Sequence, residues 1–463
     1  MLFRLFRAVL SVALIFGAIW TAVIWHWQVT HRYPTAADIV LKLGVLPTGA
    51  AAGYWILRRA AGFARARWNQ AASPQAPAAE APSAAEAPDG NEAAYRLHLL
   101  AAGVRLPLGD DAQAVLAAVE SGASPGLDPE LKDDDGLPVF ASRVPGLEVE
   151  ELRKASAAWA PPRGFSTEQL HALVLADALL EDLTAQAKAM VLAGTGDGKV
   201  PPPLRTLFMF PDHWSEETVR GAGSWLRQRV VQGAWPQAQV LGEAVLVRDG
   251  AQAIAALDNL LLMLNRNQAP DLCCVLACNS DVGEETLAQW SRAGTLMSSA
   301  NRLGRIPGEG AAGLLLSAAP PAPAGEAQML VALHRAALGK REQSVDTQAR
   351  VNGDTARQLC EQALQQAAAD PKSVDCLLSD ADHRPSRAVE VGALTTGLFT
   401  ELAPQRHYAL EAACGHLGAT ATVAGIALGA SRAQAERKPA AVLSVADAFE
   451  RAALVLTATP VTV

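Results

Sequence analysis

The feature of this sequence that most constrains its fold is an order of helices and strands that occurs twice. In the first copy, apolar residues recur at helical spacing over 251–267, and the continuous apolar run of 271–278 has the length of a strand buried on both faces. A turn and another buried strand follow over 308–319. The second copy has a helix, a strand, a helix and a turn-led helix at 354–369, 373–381, 385–402 and 413–430. This duplication predicts an α/β fold made of two similar halves.

Segments of different composition mark the limits of the two halves. A Pro/Ala-rich segment, Ala319–Gln328, separates them, and we place the halves at 95–320 and 327–463. Residues 69–94 are rich in Ala, Pro and Glu and cannot bury a core, so they are predicted to form an extended linker. A chain of 463 residues is too long for one ordinary core, which agrees with about two to four structural units.

Residues 1–68 are predicted to form a transmembrane helical hairpin. Two apolar stretches, 8–27 and 39–57, are separated by a polar segment, and the first is long enough to span a bilayer. Arginines flank the pair on both sides: Arg4, Arg7, Arg58, Arg59, Arg65 and Arg67. By the positive-inside rule both ends face the cytoplasm, so we expect contact with inner-membrane lipid and a soluble body on the cytoplasmic side. A cleaved signal peptide is the alternative, although no small-residue cleavage site ends the first stretch cleanly.

Charge and cysteine content argue against several classes of function. A formal net charge of −8 argues against a nucleic-acid-binding protein, which needs a basic face. Cys273, Cys274 and Cys278 lie in one apolar strand without a nearby histidine, so we expect buried reduced thiols there rather than disulfides or a metal site. Gly194–Lys199 suggests a phosphate-binding loop, but it lacks the Lys-Ser/Thr ending and is followed by prolines, which favours a surface turn.

Three motifs resemble those of the β-ketoacyl synthases. They are the helix-to-strand passage 256–290, the segment Arg305–Leu316 and the Gly-rich turn and helix Ala413–Ala430. Arg305–Leu316 is the most specific of them, because it is close to the Pro-Gly-Glu-Gly-Ala-Ala segment of the synthases. The resemblance covers roughly 95–463 and implies a thiolase-like duplicated α/β sandwich. It also implies a homodimer in which two sheets pair edge to edge.

The same resemblance implies where the chemistry of such a protein would lie. In the synthases a cysteine at the head of a helix takes the acyl group, and two histidines, or a histidine and an asparagine, assist it. Here that helix starts at Gly250–Ile254, and the nucleophile position falls on Val247 or Arg248, neither of which can carry an acyl group. His416 is one residue closer to the following glycine than in the family, and His383 lacks the flanking Gly-Thr-Gly. We therefore predict a degenerate site with no catalytic, cofactor-binding or metal-binding residues.

Other chemistry-bearing residues have simpler interpretations. Cys414, two residues before His416, and Cys278 are the remaining candidates for a nucleophile, yet side chains at i and i+2 rarely form a catalytic pair. His213 is interpreted as a surface histidine, and Glu284–Glu285 as the first turn of a helix, where carboxylates favour the positive end of the dipole. An aromatic cluster, either a corner of the core or an exposed anchor for a partner, comprises Phe208, Phe210, Pro211 and Trp214.

The overall layout also resembles the type VI lipase adapter family, on the membrane anchor and the segments 26–49 and 210–214. Members of that family are implied to load a phospholipase effector onto the tip protein of the type VI secretion machine. With the lost nucleophile, this resemblance predicts a membrane-anchored, non-catalytic adapter that binds a protein cargo such as a lipase effector. The alternative is a divergent β-ketoacyl synthase-like acyltransferase that acts on acyl-CoA or acyl carrier protein. A third hypothesis is a lipid-binding module that retains only the acyl tunnel.

Overall fold

The fold is organised around one large mixed sheet. The computed structural model describes residues 92–133, 136–195, 201–233, 235–319, 329–347 and 351–460. The strands of this part of the chain are β1 (Arg96–Arg105), β2 (Gly126–Lys132), β3 (Pro138–Ala141), β4 (Leu204–Pro211), β5 (Val240–Val247), β6 (Leu272–Ser280), β7 (Glu309–Ser317), β8 (Met329–His334), β9 (Ala337–Lys340), β10 (Cys376–Ser379), β11 (His407–Ala409), β12 (Ala440–Ser444) and β13 (Glu450–Pro460).

Helices cover both faces of this sheet. They are α1 (Ala112–Glu120), α2 (Glu150–Ala155), α3 (Thr167–Thr195), α4 (Glu216–Gln232), α5 (Gly250–Asn267), α6 (Glu284–Ala293), α7 (Asp354–Gln366), α8 (Pro385–Gly397), α9 (Leu410–Cys414) and α10 (Ala419–Glu436). The helix bounds agree with the helical spacing expected at 251–267, 354–369 and 385–402 to within a few residues.

The strand pairing repeats itself, which bears out the duplication expected from the sequence. The sheet order is β11-β10-β12-β13-β8-β1-β7-β6-β4-β5, with β9 paired to β13. In the first half β4 lies parallel to both β5 and β6, β6 is antiparallel to β7, and β7 is antiparallel to β1. In the second half β10 lies parallel to both β11 and β12, β12 is antiparallel to β13, and β13 is antiparallel to β8. The halves meet where β1 and β8 pair antiparallel. The exact limits at 95–320 and 327–463 stay a prediction.

Two helices, one from each half, pack together in the largest apolar core. α5 follows β5 and begins at an N-cap, because the Asp249 side chain accepts a hydrogen bond from the Gln252 amide. α10 holds the equivalent place in the second half, and residues 419–430 are all buried. Its small residues permit this close packing, since a Cβ at Gly429 would lie 3.0 Å from Leu378 Cδ1. Both helices contribute side chains to the same cluster, and they contact each other.

The aromatic segment at the end of β4 belongs to a second core on the opposite face. Phe208, Phe210 and Trp214 are each no more than 3% exposed, and the rings of Phe210 and Trp214 stack at 5.0 Å between centroids. α3 and α4 cover these side chains. The cluster is therefore a corner of the core, and the alternative of an exposed anchor for a partner is wrong for these three side chains, because burial leaves them no surface to offer.

Several predicted segments lie outside the described residues. They are the membrane hairpin at 1–68, the linker up to residue 91, most of the Pro/Ala segment Ala319–Gln328 and residues 196–199 of the glycine-rich loop. Among the residues that are described, no helix has both the length and the apolar character needed to cross a bilayer. The six cysteines are all described, and each is a buried free thiol, as expected for Cys273, Cys274 and Cys278.

Candidate functional site

A cavity of about 300 Å³ opens at the carboxyl ends of β4, β5 and β6. This is the edge of a parallel sheet at which α/β proteins usually bind ligands. Residues that line the cavity come from both halves of the chain: Pro211, Asp212, His213, Val247, Arg248, Cys278, Asn279, Asp281, Thr286, Gln289, Trp290, Arg305, His416, Leu417, Gly418 and Ala419. The duplication creates this site, because it brings the start of α10 beside the end of β5.

The junction between β5 and α5 is the position where the resemblance to synthases implies a nucleophile. Val247 is the last residue of the strand, and Asp249 caps the helix. Between them lies Arg248, whose Nε is 2.9 Å from Asp249 Oδ2. The backbone amide of Arg248 donates a hydrogen bond to Gln252 Oε1 at 2.8 Å. The junction therefore presents an ion-paired guanidinium to the cavity, where a covalent mechanism would need a thiol or hydroxyl.

His416 is held in the cavity by a buried network. Its Nδ1 donates to Asp281 Oδ2 at 2.7 Å, and Asn279 Nδ2 donates to the same carboxylate oxygen at 2.8 Å. Asn279 Nδ2 also lies 3.3 Å from the carbonyl oxygen of His416. The backbone of the histidine is fixed from another side, because Glu411 Oε1 accepts hydrogen bonds from the Leu417 and Gly418 amides. Both the ring and the loop that carries it are thus restrained.

The carboxylates around His416 favour its protonated form. Burial alone would lower the pKa of the imidazole, but Glu411 and Asp281 outweigh burial and raise that pKa above its ordinary value. Burial would likewise raise the pKa of Asp281, yet the facing histidine holds it below the usual range. Burial raises the pKa of Glu411 to about 7, against the opposing effect of His416. His416 is therefore suited to donate a hydrogen bond to an anionic or carbonyl group in the cavity.

An aromatic wall and a cation complete the opening of the cavity. The Trp290 ring meets the His416 ring edge-on, with 5.6 Å between their centroids. Arg305 Cζ lies 5.9 Å from the centroid of the same indole, in cation–π range. Arg248, Arg305 and His213 are all exposed at this rim. The site accordingly combines an apolar wall with several groups that donate hydrogen bonds.

The cavity contains few groups that could act as a nucleophile. Of the residues that line it, Thr286 and Cys278 alone carry a hydroxyl or thiol. Cys278 is 3% exposed, and burial raises the pKa of its thiol to about 12. Cys414 is fully buried and does not line the cavity, and burial raises its pKa to about 12 as well. A thiolate is the reactive form of cysteine, so neither group is activated in this arrangement.

Gly250 explains how closely α5 approaches the second half. A Cβ at this position would overlap Thr422 Oγ1 and Asp380 Oδ2, so only glycine fits. Asp380 accepts hydrogen bonds from Ser444 Oγ at 2.5 Å and from the Val445 amide, while burial raises its pKa to about 6. The start of α5 therefore packs directly against α10 and against the ends of β10 and β12.

The structure brings together some of the residues singled out in the sequence and separates others. His416, Arg248 and Cys278 share the cavity, whereas His383 does not line it and lies 3.3 Å from the carbonyl oxygen of Arg302. Glu284–Glu285 begins α6, as expected. His213 is exposed, as expected of a surface histidine, but its position on the rim was not foreseen.

Sequence reasoning missed the roles of Asp281, Trp290 and Arg305. Asp281 and Trp290 lie within the first synthase-like motif, and Arg305 begins the second, so the motifs themselves contained a signal. The motifs do not show that Asp281 pairs with His416, because the two residues are 135 positions apart in the chain.

Comparison with solved structures identifies the fold. No protein-family model matches this chain, and no curated protein matches it in sequence. The ishigamide ketosynthase/chain length factor is 18% identical, with a TM-score of 0.51, and the match covers 78% of this chain and 99% of that one. A β-ketoacyl synthase from Burkholderia phymatum STM815 is 13% identical, with a TM-score of 0.51 and coverage of 79% and 100%. The ketosynthase from module 6 of the bacillaene synthase of Bacillus subtilis 168 is 12% identical, with a TM-score of 0.56 and coverage of 79% and 72%.

These matches show that the chain has a mixed α/β, thiolase-like fold of the ketosynthase type, as its motifs implied. Identities this low establish the fold alone. The function must be argued from the residues of the cavity.

Proposed function

We propose that this protein uses a ketosynthase-like body to bind a partner and not to transfer acyl groups. The observation that carries this proposal is the β5–α5 junction, where Val247, Arg248 and Asp249 occupy the turn. An acyl-enzyme requires an oxygen or sulfur nucleophile whose attack is assisted by neighbouring groups. Arg248 is instead ion-paired to Asp249, so the assisting network around His416 has no nucleophile to serve at this position.

The thiols of the protein support the same proposal. All six cysteines are buried, and burial raises the pKa of each one to about 12. Cys278 reaches the cavity, but it lies on β6 and not at the head of a helix, where a positive dipole end would stabilise a thiolate. The retained His416–Asp281 pair is then a hydrogen-bonding element that shapes the cavity.

The finer part of the proposal is a membrane-anchored adapter. In this proposal the hairpin at 1–68 anchors the protein in the inner membrane, and the body lies on the cytoplasmic side. The body binds a protein cargo, such as a lipase effector, that is passed to a secretion tip protein. The resemblance of the layout to type VI lipase adapters is its support. An exposed edge strand, β5, also favours the proposed homodimer, because Leu241 and Leu246 on it are exposed at 41% and 38%.

Two measurements on the full-length chain test this function. The first follows the release of free CoA from acyl-CoA, and we expect no release above the level of buffer alone. The second cross-links the protein in its native membrane and identifies the linked peptides by mass spectrometry. A lipase-type protein linked to the described body supports the adapter, whereas saturable CoA release contradicts the non-catalytic assignment.

The second candidate function is a divergent β-ketoacyl synthase-like acyltransferase acting on acyl-CoA or acyl carrier protein. It is favoured by the ketosynthase-type fold and by one specific observation, which is that Cys278 and His416 line the same cavity. Under this hypothesis Cys278 would be the acyl acceptor, since Cys414 lies outside the cavity. Replacement Cys278→Ala would then abolish any acyl transfer, while Cys274→Ala, on the same strand and buried away from the cavity, would leave it intact.

A further inference from the structure

A second groove lies on the first half of the protein, between α2, α3 and α4. Its volume is about 390 Å³, and its lining does not overlap that of the cavity at the strand ends. The floor is apolar and aromatic. Leu152 and Trp225 are buried beneath it, and Trp159 and Val174 are half-buried along it. Indole rings in a concave surface offer a large contact area to a partner side chain.

The walls of this groove are acidic. On one side, Asp177 and Glu181 of α3 share a single cation, because Arg229 Nε lies 2.7 Å from Asp177 Oδ1 and Nη2 lies 3.6 Å from Glu181 Oε2. On the other side, Glu148 and Glu151 are exposed. Neither of these two side chains forms an ion pair or hydrogen bond with another described residue. Four carboxylates and one guanidinium leave a formal excess of three negative charges.

The groove is long enough for a peptide. It continues along α3 and α4 to Thr184 and Gly233 through a neighbouring depression that shares Asp177 and Arg229. The eight residues from Asp177 to Thr184 span about 10 Å of helix, which matches about three residues of extended chain. A lone small cation would fill only part of such a surface.

We propose that this groove docks a basic segment of a partner protein. An arginine or lysine side chain would lie over the Trp159 indole with its charge against Glu148 and Glu151, and its apolar stem would cover Val174. The acidic walls disfavour phosphate groups and anionic lipid surfaces as occupants, because like charges repel at this range. This groove is separate from the cavity, so the proposed docking does not depend on whether the cavity transfers acyl groups.

A peptide-binding experiment with the full-length protein tests the proposal. The probe is a fluorescently labelled nine-residue peptide of alternating arginine and leucine, and its partner probe has citrulline in place of every arginine. We expect the arginine peptide to bind in fluorescence anisotropy, the citrulline peptide to bind at least about 10-fold more weakly, and binding to weaken as salt is raised.

Variants locate the binding surface. The double replacement Glu148→Gln with Glu151→Gln is expected to weaken binding about 3- to 10-fold, since two rim charges are removed. Glu150→Gln is the control, because this exposed glutamate lies next to Glu151 in α2, pairs with Arg153 and does not line the groove. All three positions are exposed, so we expect the substitutions to leave stability unchanged. An unchanged thermal unfolding curve verifies that each variant is folded. Equal binding of the two peptides, or unchanged affinity in the double variant, overturns the proposal.

Discussion

The reactivity of the thiols offers a quantitative test of the buried-nucleophile argument. Cys278, the thiol that reaches the cavity, is 3% exposed, and burial raises its pKa to about 12. At about pH 8 its thiolate fraction is then on the order of one in ten thousand, against about one quarter for an ordinary exposed cysteine. The higher intrinsic nucleophilicity of a high-pKa thiolate recovers roughly 40-fold of that difference. Alkylation of the native thiol should therefore be at least about 50-fold slower than that of an exposed one, before restricted access is counted.

The variant Arg248→Cys supplies the exposed thiol within the same molecule. The Arg248 side chain is 48% exposed at the rim of the cavity, so an introduced thiol there meets solvent and reagent. Iodoacetamide labelling followed by intact mass and peptide mapping should show one rapid modification at position 248. The six native cysteines should become modified only after unfolding in guanidinium chloride. Rapid labelling of native Cys278, at a rate comparable to that at position 248, would refute the reasoning.

Two further predictions concern stability. Glu390 accepts hydrogen bonds from Arg451 at 2.8 and 2.9 Å and from Arg341 at 3.0 Å, and all three side chains are buried. Because Glu390→Gln removes the negative charge that pairs these buried guanidinium groups, it should lower the free energy of unfolding by about 3–5 kcal/mol in urea titrations. The control Glu450→Gln removes a carboxylate paired with an exposed lysine and should cost less than about 1 kcal/mol; equal losses would contradict this account. Burial raises the pKa of Glu411 to about 7, so the folded state keeps a proton that the unfolded state releases above about pH 4.5. The free energy of unfolding should therefore fall as the pH rises from about 4.5 to about 7. Glu411→Gln should make that decline shallower when unfolding is measured between about pH 5 and 8, and an unchanged slope would contradict the assignment.

The strands and helices could be predicted where local pattern decides structure. The apolar run 271–278 became β6, with all nine residues of the strand buried, because β6 is a central strand of a sheet whose two faces are both covered. The helical spacing of 251–267 gave α5, which begins one residue earlier, at Gly250, directly after its Asp249 cap. Both signals lie within about twenty residues of sequence, the range over which periodicity determines burial.

The site could be predicted only in part, because long-range pairing decides it. The glycine-rich turn marks His416 in the sequence, but no local signal marks its partner Asp281. His213 was correctly expected at the surface, yet nothing local indicates that the end of β4 lies beside the start of α10. His383 was placed near a family histidine by sequence order, whereas the structure positions it against the Arg302 carbonyl. Knowledge of the duplicated topology is what converts these separate residues into a site.

Intact-mass spectrometry of the full-length protein tests the central claim most directly. The chain is incubated with acyl-CoA and, separately, with acylated carrier protein, and its mass is compared with that of the untreated protein. The junction of β5 and α5 carries an ion-paired arginine, Arg248, and no thiol or hydroxyl, and the six thiols are buried. We therefore predict an unchanged mass in both cases. A stable acyl adduct mapped to a single residue, Cys278 above all, would contradict the non-catalytic account and identify the protein as an acyl-transferring enzyme.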